Sequence, residues 1–209
     1  EAATRSGLSG FNPQELANTA WAFATAGMHH STALSAELVR AITLSLSQVP
    51  ASWELASLVQ LHQWQSCVRL ESGTRSVEAY LLRPELRQRC RDAMRAGETH
   101  SSKLQLAVGA AIRAIHAEFD DEVIEPQTGY SIDLALRSSR IAIEVDGPSH
   151  FVRDARGEHR SNGPTRLKQR LLHAAGWQLI SVPFFEWDAL DSREAQHDYL
   201  QRRLGEVGL

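Results

Sequence analysis

Acidic residues occur in two short runs of alternating polar and apolar side chains in the second half of the chain. Residues 130–137 read YSIDLALR and residues 141–146 read IAIEVD, so polar and apolar side chains alternate in both. An alternation with a period of two predicts a pair of β-strands. If the two serines after the first run form a two-residue turn, Asp133 lies directly across from Glu144, on the face opposite the isoleucines.

Two carboxylates on neighbouring strands repel each other, so this pair needs compensation. A cation, a basic side chain or a retained proton would each remove the repulsion. A divalent metal such as Mg²⁺ or Mn²⁺ binds through one or two carboxylates and water, which leaves room for a phosphate. Asp133 and Glu144 are therefore candidate metal ligands and catalytic acids, and Asp146 is a candidate assistant. Asp146 equally suits a simple Asp-Gly turn, in which its carboxylate accepts backbone N–H groups.

A basic side chain is available from a helix that the sequence predicts to begin with Thr165 as its cap and to end at Gly176. Lys168 lies on the apolar side of this helix, between Leu172 and Ala175 in projection. A lysine in such a position either extends outward to solvent or meets an acid. If the helix lies across the strands, Lys168 could neutralise the carboxylates, orient a phosphate or assist an attacking water.

Further basic side chains lie close by in the sequence. The loop predicted over residues 147–164 contains Arg153, Arg156, His159 and Arg160, and the helix that follows carries Arg166 and Arg170 nearer its polar side. Phosphate affinity depends on local clusters of Lys and Arg, so these residues are candidate RNA contacts, although a solvated loop is the alternative. His150 is either another RNA contact or a core histidine held by a neighbouring carboxylate.

The elements that must position these residues follow the order helix, strand, strand, helix, strand, helix. An amphipathic helix capped by Ser101 or Ser102 and reaching Phe119 precedes the paired strands, residues 178–183 predict a buried strand, and residues 187–204 predict a final helix. This order predicts an α/β domain with a small mixed sheet and helices on its faces.

The first 70 residues have a different pattern. A segment that begins at Asn12 as a cap and Pro13 as the first helical residue recurs weakly from Ser52, with Leu16 aligned to Leu55. A second helix over residues 33–49 carries an apolar stripe. A recurring helical pair predicts an α-solenoid unit that needs neighbours to bury its faces, and an ordinary helical bundle is the alternative.

Residues 71–100 are rich in Arg and Glu and predict a charged helix around residues 84–96. Its arginines form either a solvated face or RNA contacts; they are Arg83, Arg87, Arg89, Arg91 and Arg95. We therefore divide the chain into a helical repeat remnant over 1–70, a charged helical linker over 71–100 and the α/β domain over 101–209.

The composition limits the partners. A net charge of −3 over 209 residues and a pI near 6.3 give no global attraction to nucleic acid, so RNA contacts must come from local patches. No segment approaches the roughly 20 uninterrupted apolar residues of a membrane span, so no membrane partner is expected. The chain begins with Glu1 rather than Met, and we expect it to be a piece of a longer protein.

Several motifs together resemble the RAP domain. The run IAIEVDGPSHF at 141–151 is similar to the core motif of that family, and GPTRLKQRLL at 163–172, GW at 176–177 and VPFFEW at 182–187 keep the family's order and spacing. Upstream, PQELANTAWAF at 13–23 resembles the octotricopeptide-like and FAST-kinase-like helical repeats of organellar RNA-binding proteins.

The resemblance implies an RNA-binding factor of mitochondrial or plastid RNA processing, stability or translation, with ribosomal or ribonucleoprotein partners. The RAP fold is similar to the restriction-endonuclease-like PD-(D/E)xK nucleases, and in that pattern Asp133 matches the first acid, Glu144 the second, and His150 a histidine of one branch. A metal-dependent endoribonuclease is therefore an alternative. The usual lysine two residues after the second acid is replaced here by Asp146, and Lys168 is the candidate substitute. A further alternative is a structural subunit of an organellar ribosome.

Overall fold

The computed structural model of the chain describes residues 7–8, 10–28, 31–48, 53–72, 77–97, 101–115 and 118–209. The chain divides into two compact units, which we call the helical unit (residues 1–97 with 127–129) and the α/β unit (residues 98–126 and 130–209). The division at residues 70 and 100 that the sequence suggested stays a prediction.

The helical unit consists of helices with short connections. They are α1 (Pro13–Thr25), α2 (Thr32–Gln48), α3 (Leu55–Leu70), a 3₁₀ turn (Glu78–Tyr80) and α4 (Pro84–Arg95). The start of α1 is as predicted, because the Asn12 side chain accepts the N–H of Glu15 while the Glu15 carboxylate accepts the N–H of Asn12. The predicted stripe of α2 is buried along its length; it consists of Leu34, Leu38, Ile42 and Leu46.

The weak internal repeat does not carry over into equivalent packing. Leu16 is buried in α1, whereas its aligned partner Leu55 is exposed at the start of α3. The cap predicted at Ser52 lies outside the described residues, and the N-cap of α3 is Glu54. The two segments therefore bury different positions of the shared pattern.

The α/β unit contains a four-stranded mixed sheet and a separate two-stranded hairpin. Its elements are α5 (Lys103–Ile115), β1 (Asp120–Ile124), β2 (Ser131–Leu136), β3 (Ile141–Asp146), a 3₁₀ turn (Pro148–His150), β4 (Phe151–Arg153), β5 (His159–Ser161), α6 (Gly163–Ala174), β6 (Gln178–Pro183), α7 (Phe184–Trp187) and α8 (Arg193–Gly205). The strand order is β1-β2-β3-β6, with β3 and β6 parallel and the other pairs antiparallel, and β4 pairs with β5. The predicted mixed sheet is confirmed.

The two faces of strand β3 contact different surroundings. Ile141, Ile143 and Val145 belong to a buried cluster that includes residues of α5, β6 and α8. Glu144 points to the opposite face, where a side chain of α6 reaches it. Every residue of β3 is buried, so the acids of this strand lie inside the unit rather than on its surface.

Some predicted boundaries were wrong, each for a local reason. The N-cap of α6 is Asn162, whose side chain accepts the Thr165 N–H, so Thr165 lies inside the helix and does not cap it. The final helix begins at Arg193 behind a Ser192 cap, because α7 ends at Trp187 and the chain turns there. Phe119, predicted to end the first helix, follows α5 as a buried core residue.

Two structural features were missed altogether. Strand β1 has the sequence DDEVI and is mostly exposed, so no apolar alternation marks it. The predicted loop over 147–164 instead holds a 3₁₀ turn and the β4–β5 hairpin, whose strands are only three residues long. Strands this short do not show a hydrophobic period. None of the helices in the described residues combines the length and apolar character needed to cross a bilayer.

Candidate functional site

The β2–β3 pairing has the predicted register but ends before the turn. Leu134 pairs with Ile143 and Leu136 with Ile141, the register that would set Asp133 opposite Glu144. The turn spans four residues, 137–140, and its last residue, Arg140, has a φ of 51°. Ser138 and Ser139 lie at its centre, as predicted, and the Arg140 N–H donates to the Arg137 carbonyl at 3.3 Å, but the strand pairing ends at Leu136 and Ile141 and does not include the two arginines. At the other end of the pairing, Asp133 Oδ2 accepts the N–H of Val145 at 2.7 Å.

Lys168 meets Glu144, as the helical projection predicted. Its Nζ donates a hydrogen bond to Glu144 Oε2, and the two form an ion pair in which the Glu144 side chain is 4% exposed and that of Lys168 19% exposed. The pair joins α6 to the centre of the sheet. A cation, a basic side chain or a retained proton could each offset the repulsion between Asp133 and Glu144. These contacts supply the basic side chain.

Asp146 is held by a histidine and a serine. Its Oδ1 lies 2.9 Å from His150 Nδ1, and its Oδ2 accepts the Ser181 hydroxyl at 2.5 Å. Thr165 Oγ1 lies 3.3 Å from the same histidine nitrogen. Since Asp146 is only 1% exposed, it fixes the His150 ring from inside, while the His150 side chain remains 37% exposed. His150 is thus held by a neighbouring carboxylate, without being a fully buried core residue.

Burial and neighbouring charges shift the pKa values of this cluster. Burial raises the pKa of Glu144 to about 8, although Lys168 opposes the shift. Burial also raises the pKa of Asp133. Burial by itself lowers the pKa of Lys168, but the carboxylates of Glu144, Asp133 and Asp146 together reverse this, and the net direction is upward. The hydrogen bond to Asp146 raises the pKa of His150. The cluster therefore retains protons that isolated acids would release.

Each of the three acids has at least one carboxylate oxygen engaged with a protein donor. Glu144 Oε2 binds Lys168, Asp133 Oδ2 binds a backbone N–H, and both oxygens of Asp146 have partners. Glu144 Oε1 is buried without a hydrogen-bond partner in the described part of the chain. Within the residues described, no group of three or more His, Cys, Asp or Glu side chains is arranged to hold a metal. As folded, these residues do not fit a preformed metal site, and the Mg²⁺ or Mn²⁺ ion stays a prediction.

The predicted basic residues of segment 147–164 lie on the β4–β5 hairpin. Arg153 donates to the Gly157 carbonyl at 2.8 Å, and Arg160 forms an ion pair with Asp154 at 2.6 Å, so both stabilise the hairpin itself. Arg156 is exposed at the hairpin turn. On α6, Arg166 is exposed and Arg170 is half-buried.

An aromatic cluster at the base of the hairpin was not predicted. The His159 ring stacks on Phe185 with centroids 4.4 Å apart and planes 8° apart, and Phe151 meets Phe185 edge-on at 5.2 Å. Phe184 contacts both His159 and Phe151. These four rings attach the hairpin to α7, so the packing of His159 is a structural contact in addition to its predicted RNA-binding role.

The family comparison matches the segment that carries most of this cluster. Residues 143–203 match the model of the RAP domain. The chain contains a RAP domain. The match begins within β3 and ends within α8, so the RAP domain includes Glu144, Asp146, His150 and Lys168. Asp133, on β2, precedes the matched residues.

Several proteins resemble the chain over this region. A chloroplastic RAP domain-containing protein of Oryza sativa subsp. japonica is 35% identical over 111 residues, which are 53% of this chain and 17% of that protein. The mitochondrial FAST kinase domain-containing protein 3 of Rattus norvegicus is 39% identical over 66 residues, 32% of this chain and 10% of the relative. The Homo sapiens protein of the same name is 37% identical over 65 residues, 31% of this chain and 9% of the relative. The chain thus spans less than a fifth of the length of these relatives.

Proposed function

We propose that this chain is an RNA-binding factor of mitochondrial or plastid RNA processing, stability or translation. The observation that carries the proposal is the line of exposed arginines within the matched RAP domain. They follow one another through the hairpin and into the first turn of α6; they are Arg153, Arg156, Arg160 and Arg166. Guanidinium groups bind phosphate through planar paired donors, and phosphate contacts supply most sequence-independent affinity for nucleic acid.

Two of these arginines suit RNA contact better than the others. Arg153 and Arg160 hold the hairpin through Gly157 and Asp154, and an RNA phosphate would have to compete with those partners. The exposed guanidinium groups of Arg156 and Arg166 flank the hairpin and the Asn162 cap. Since the chain carries a net charge of −3, binding must depend on such local sites.

Fluorescence anisotropy with a labelled single-stranded RNA tests the proposal. We expect the wild-type chain to bind and Arg156→Gln with Arg166→Gln to weaken binding. A plot of the logarithm of affinity against the logarithm of salt concentration loses about 0.7 of slope for each phosphate contact removed from a single strand. The slope should therefore become less steep by about 1.4 when both arginines are replaced.

The matched control is Arg137→Gln with Arg193→Gln. Both residues are exposed in the same unit, Arg137 in the turn between β2 and β3 and Arg193 at the start of α8, and the change in charge is identical. We expect this control to keep the wild-type salt dependence. No binding by the wild-type chain, or equal weakening by both pairs, would contradict the proposal.

The meeting of Lys168 with Glu144 favours a second candidate, a metal-dependent endoribonuclease with a PD-(D/E)xK-like fold. A lysine beside two acids is the set that the family resemblance implies for such an enzyme. A divalent ion would have to take the oxygens that now bind Lys168 and the Val145 N–H. Because these partners already hold one oxygen of each acid, binding without cleavage is the outcome we expect. The ribosomal-subunit hypothesis stays a prediction.

Cleavage of end-labelled RNA in Mg²⁺ or Mn²⁺ decides between the two candidates. Wild type, Glu144→Ala and the control Glu158→Ala, which alters an exposed glutamate of the hairpin, are compared on one substrate. If all three bind RNA and none cleaves it, the buried acids serve the fold. Metal-dependent cutting by wild type and Glu158→Ala that falls on the order of a hundredfold in Glu144→Ala would instead establish the nuclease.

A further inference from the structure

The helical unit contains a basic cluster that the RAP domain does not include. Helix α3 presents His62, Ser66 and Arg69 at helical spacing, and α4 presents Arg87 and Arg91 one turn apart. These residues, with Gln65 and Cys90, line a cavity of about 10 Å³. We call the three arginines and Ser66 the α3–α4 basic pocket.

The charges of this pocket are not balanced locally. Like charges one helical turn apart destabilise a helix, and Arg87 and Arg91 are such a pair. Burial lowers the pKa of Arg69, and the positive charges of Arg91 and Arg87 lower it further. Burial also lowers the pKa of His62, and the positive charges of Arg91 and Arg69 add to the effect, so protonation of His62 is disfavoured. The residues that line the pocket include three arginines and no acidic side chain, so its lining has an excess of positive charge.

Two buried polar atoms at the pocket have no hydrogen-bond partner within the described residues. They are the hydroxyl of Ser66, a residue that is 1% exposed, and Nε of Arg87. A buried polar atom without a partner destabilises the fold, so such atoms usually meet a water or a ligand. A cavity of about 10 Å³ holds one oxygen-sized atom.

We propose that the α3–α4 basic pocket binds one phosphate of an RNA backbone, an inference that rests on the proposed function. One phosphate oxygen enters the cavity and meets Ser66 Oγ and Arg87 Nε. The guanidinium groups of Arg69 and Arg91 contact the remaining oxygens from the rim. Such a phosphate would relieve the repulsion among the three arginines, which the lining residues by themselves do not.

The first arm measures RNA binding with Arg69→Gln and Arg91→Gln combined. The matched control combines Arg137→Gln and Arg193→Gln, two exposed arginines of the α/β unit with the same total change in charge. We expect the pocket variant to make the salt dependence less steep by about 1.4 and to lose on the order of tenfold in affinity, while the control stays close to wild type. The pocket variant should fold at least as stably as wild type, since it removes like-charge repulsion, and circular dichroism melting checks this.

The second arm uses inorganic phosphate in place of RNA. At constant ionic strength, phosphate should raise the melting temperature of wild type and of the control above that in chloride, and should have no effect on the pocket variant. Phosphate stabilisation without a pocket-specific effect on RNA binding would assign the pocket to a small free anion and overturn the RNA assignment. Absence of both effects would mean that a buried water satisfies Ser66, which overturns the inference.

The two proposals fail in different ways. If wild type does not bind RNA, the proposed function fails and the RNA assignment of the pocket fails with it. If Arg156→Gln with Arg166→Gln weakens binding but the pocket variant does not, the proposed function stands and the α3–α4 basic pocket is excluded as an RNA contact.

Discussion

Three acids of the α/β unit have three different kinds of partner. Asp133 accepts a backbone N–H, Glu144 binds Lys168, and Asp146 binds Ser181 and the ring of His150. Removing one partner from a buried pair leaves an uncompensated charge, which costs far more than the pair contributes. The cluster is therefore coupled, and its protonation connects the stability of the fold to pH.

The pH dependence of stability should identify Glu144. Its pKa is raised from 4.5 to about 8 in the folded protein, so between these values the folded state keeps a proton that the unfolded chain has released. The free energy of unfolding therefore falls as pH rises through this range. Glu144→Gln should make the free energy of unfolding fall less steeply with pH, by up to about 1.4 kcal/mol per pH unit. The decline that remains is smaller and comes from Asp133 and His150. Urea unfolding at several pH values between 5 and 8 measures it.

The control for this prediction is Glu194→Gln, an exposed glutamate on α8 across the sheet. It should keep the wild-type slope at every pH. A constant offset between Glu144→Gln and wild type, with parallel slopes, would mean that Glu144 is ionised throughout the range and would contradict the raised pKa.

At the level of secondary-structure elements, Asn162 positions the helix that carries Lys168. Its Oδ1 accepts the Thr165 N–H at 3.0 Å and caps α6, while its Nδ2 donates to the Ser149 carbonyl at 2.7 Å. Its backbone N–H donates to the His150 carbonyl at 2.9 Å. One residue thus joins the 3₁₀ turn after β3 to the start of α6 and sets Thr165 beside His150.

Substitution of Asn162 should separate its two roles. Asn162→Ser keeps a capping oxygen but removes the bond to Ser149, whereas Asn162→Ala removes both. We expect Asn162→Ala to lower the free energy of unfolding by about 2 kcal/mol and Asn162→Ser by about 1 kcal/mol or less. Ser192→Ala at the start of α8 removes a cap alone and should cost about 1 kcal/mol. If Asn162→Ser is as stable as wild type in urea unfolding, and Asn162→Ala loses no more than Ser192→Ala, the Ser149 contact contributes nothing.

At the scale of the whole molecule, the basic residues that could contact RNA are concentrated in two places. A net charge of −3 gives no overall attraction to RNA, yet exposed arginines follow the β4–β5 hairpin, and further arginines surround a cavity in the helical unit. The first group lies in the matched RAP domain and the second does not. Because each group belongs to a different compact unit, each can be altered without disturbing the core of the other.

The sequence by itself determined the features that depend on local periodicity. Alternation in β2 and β3 predicted their register, and helical projection put Lys168 on the side of α6 that meets Glu144. The Asn12–Glu15 capping box could also be predicted, because all its atoms lie within four residues. The family motifs identified the RAP domain, since they are short runs of sequence in a fixed order and spacing.

Only the tertiary structure decided the contacts between residues far apart in sequence. Nothing near Asp146 indicates that Ser181 would bind it, because β6 becomes a neighbour of β3 only through the parallel pairing. Likewise, the gathering of Arg69, Arg87 and Arg91 around Ser66 depends on the packing of α3 against α4. Periodicity specifies which face of a helix or strand a side chain occupies, whereas its partners depend on which elements pack together. Which elements pack together depends on the burial of apolar side chains across the whole unit.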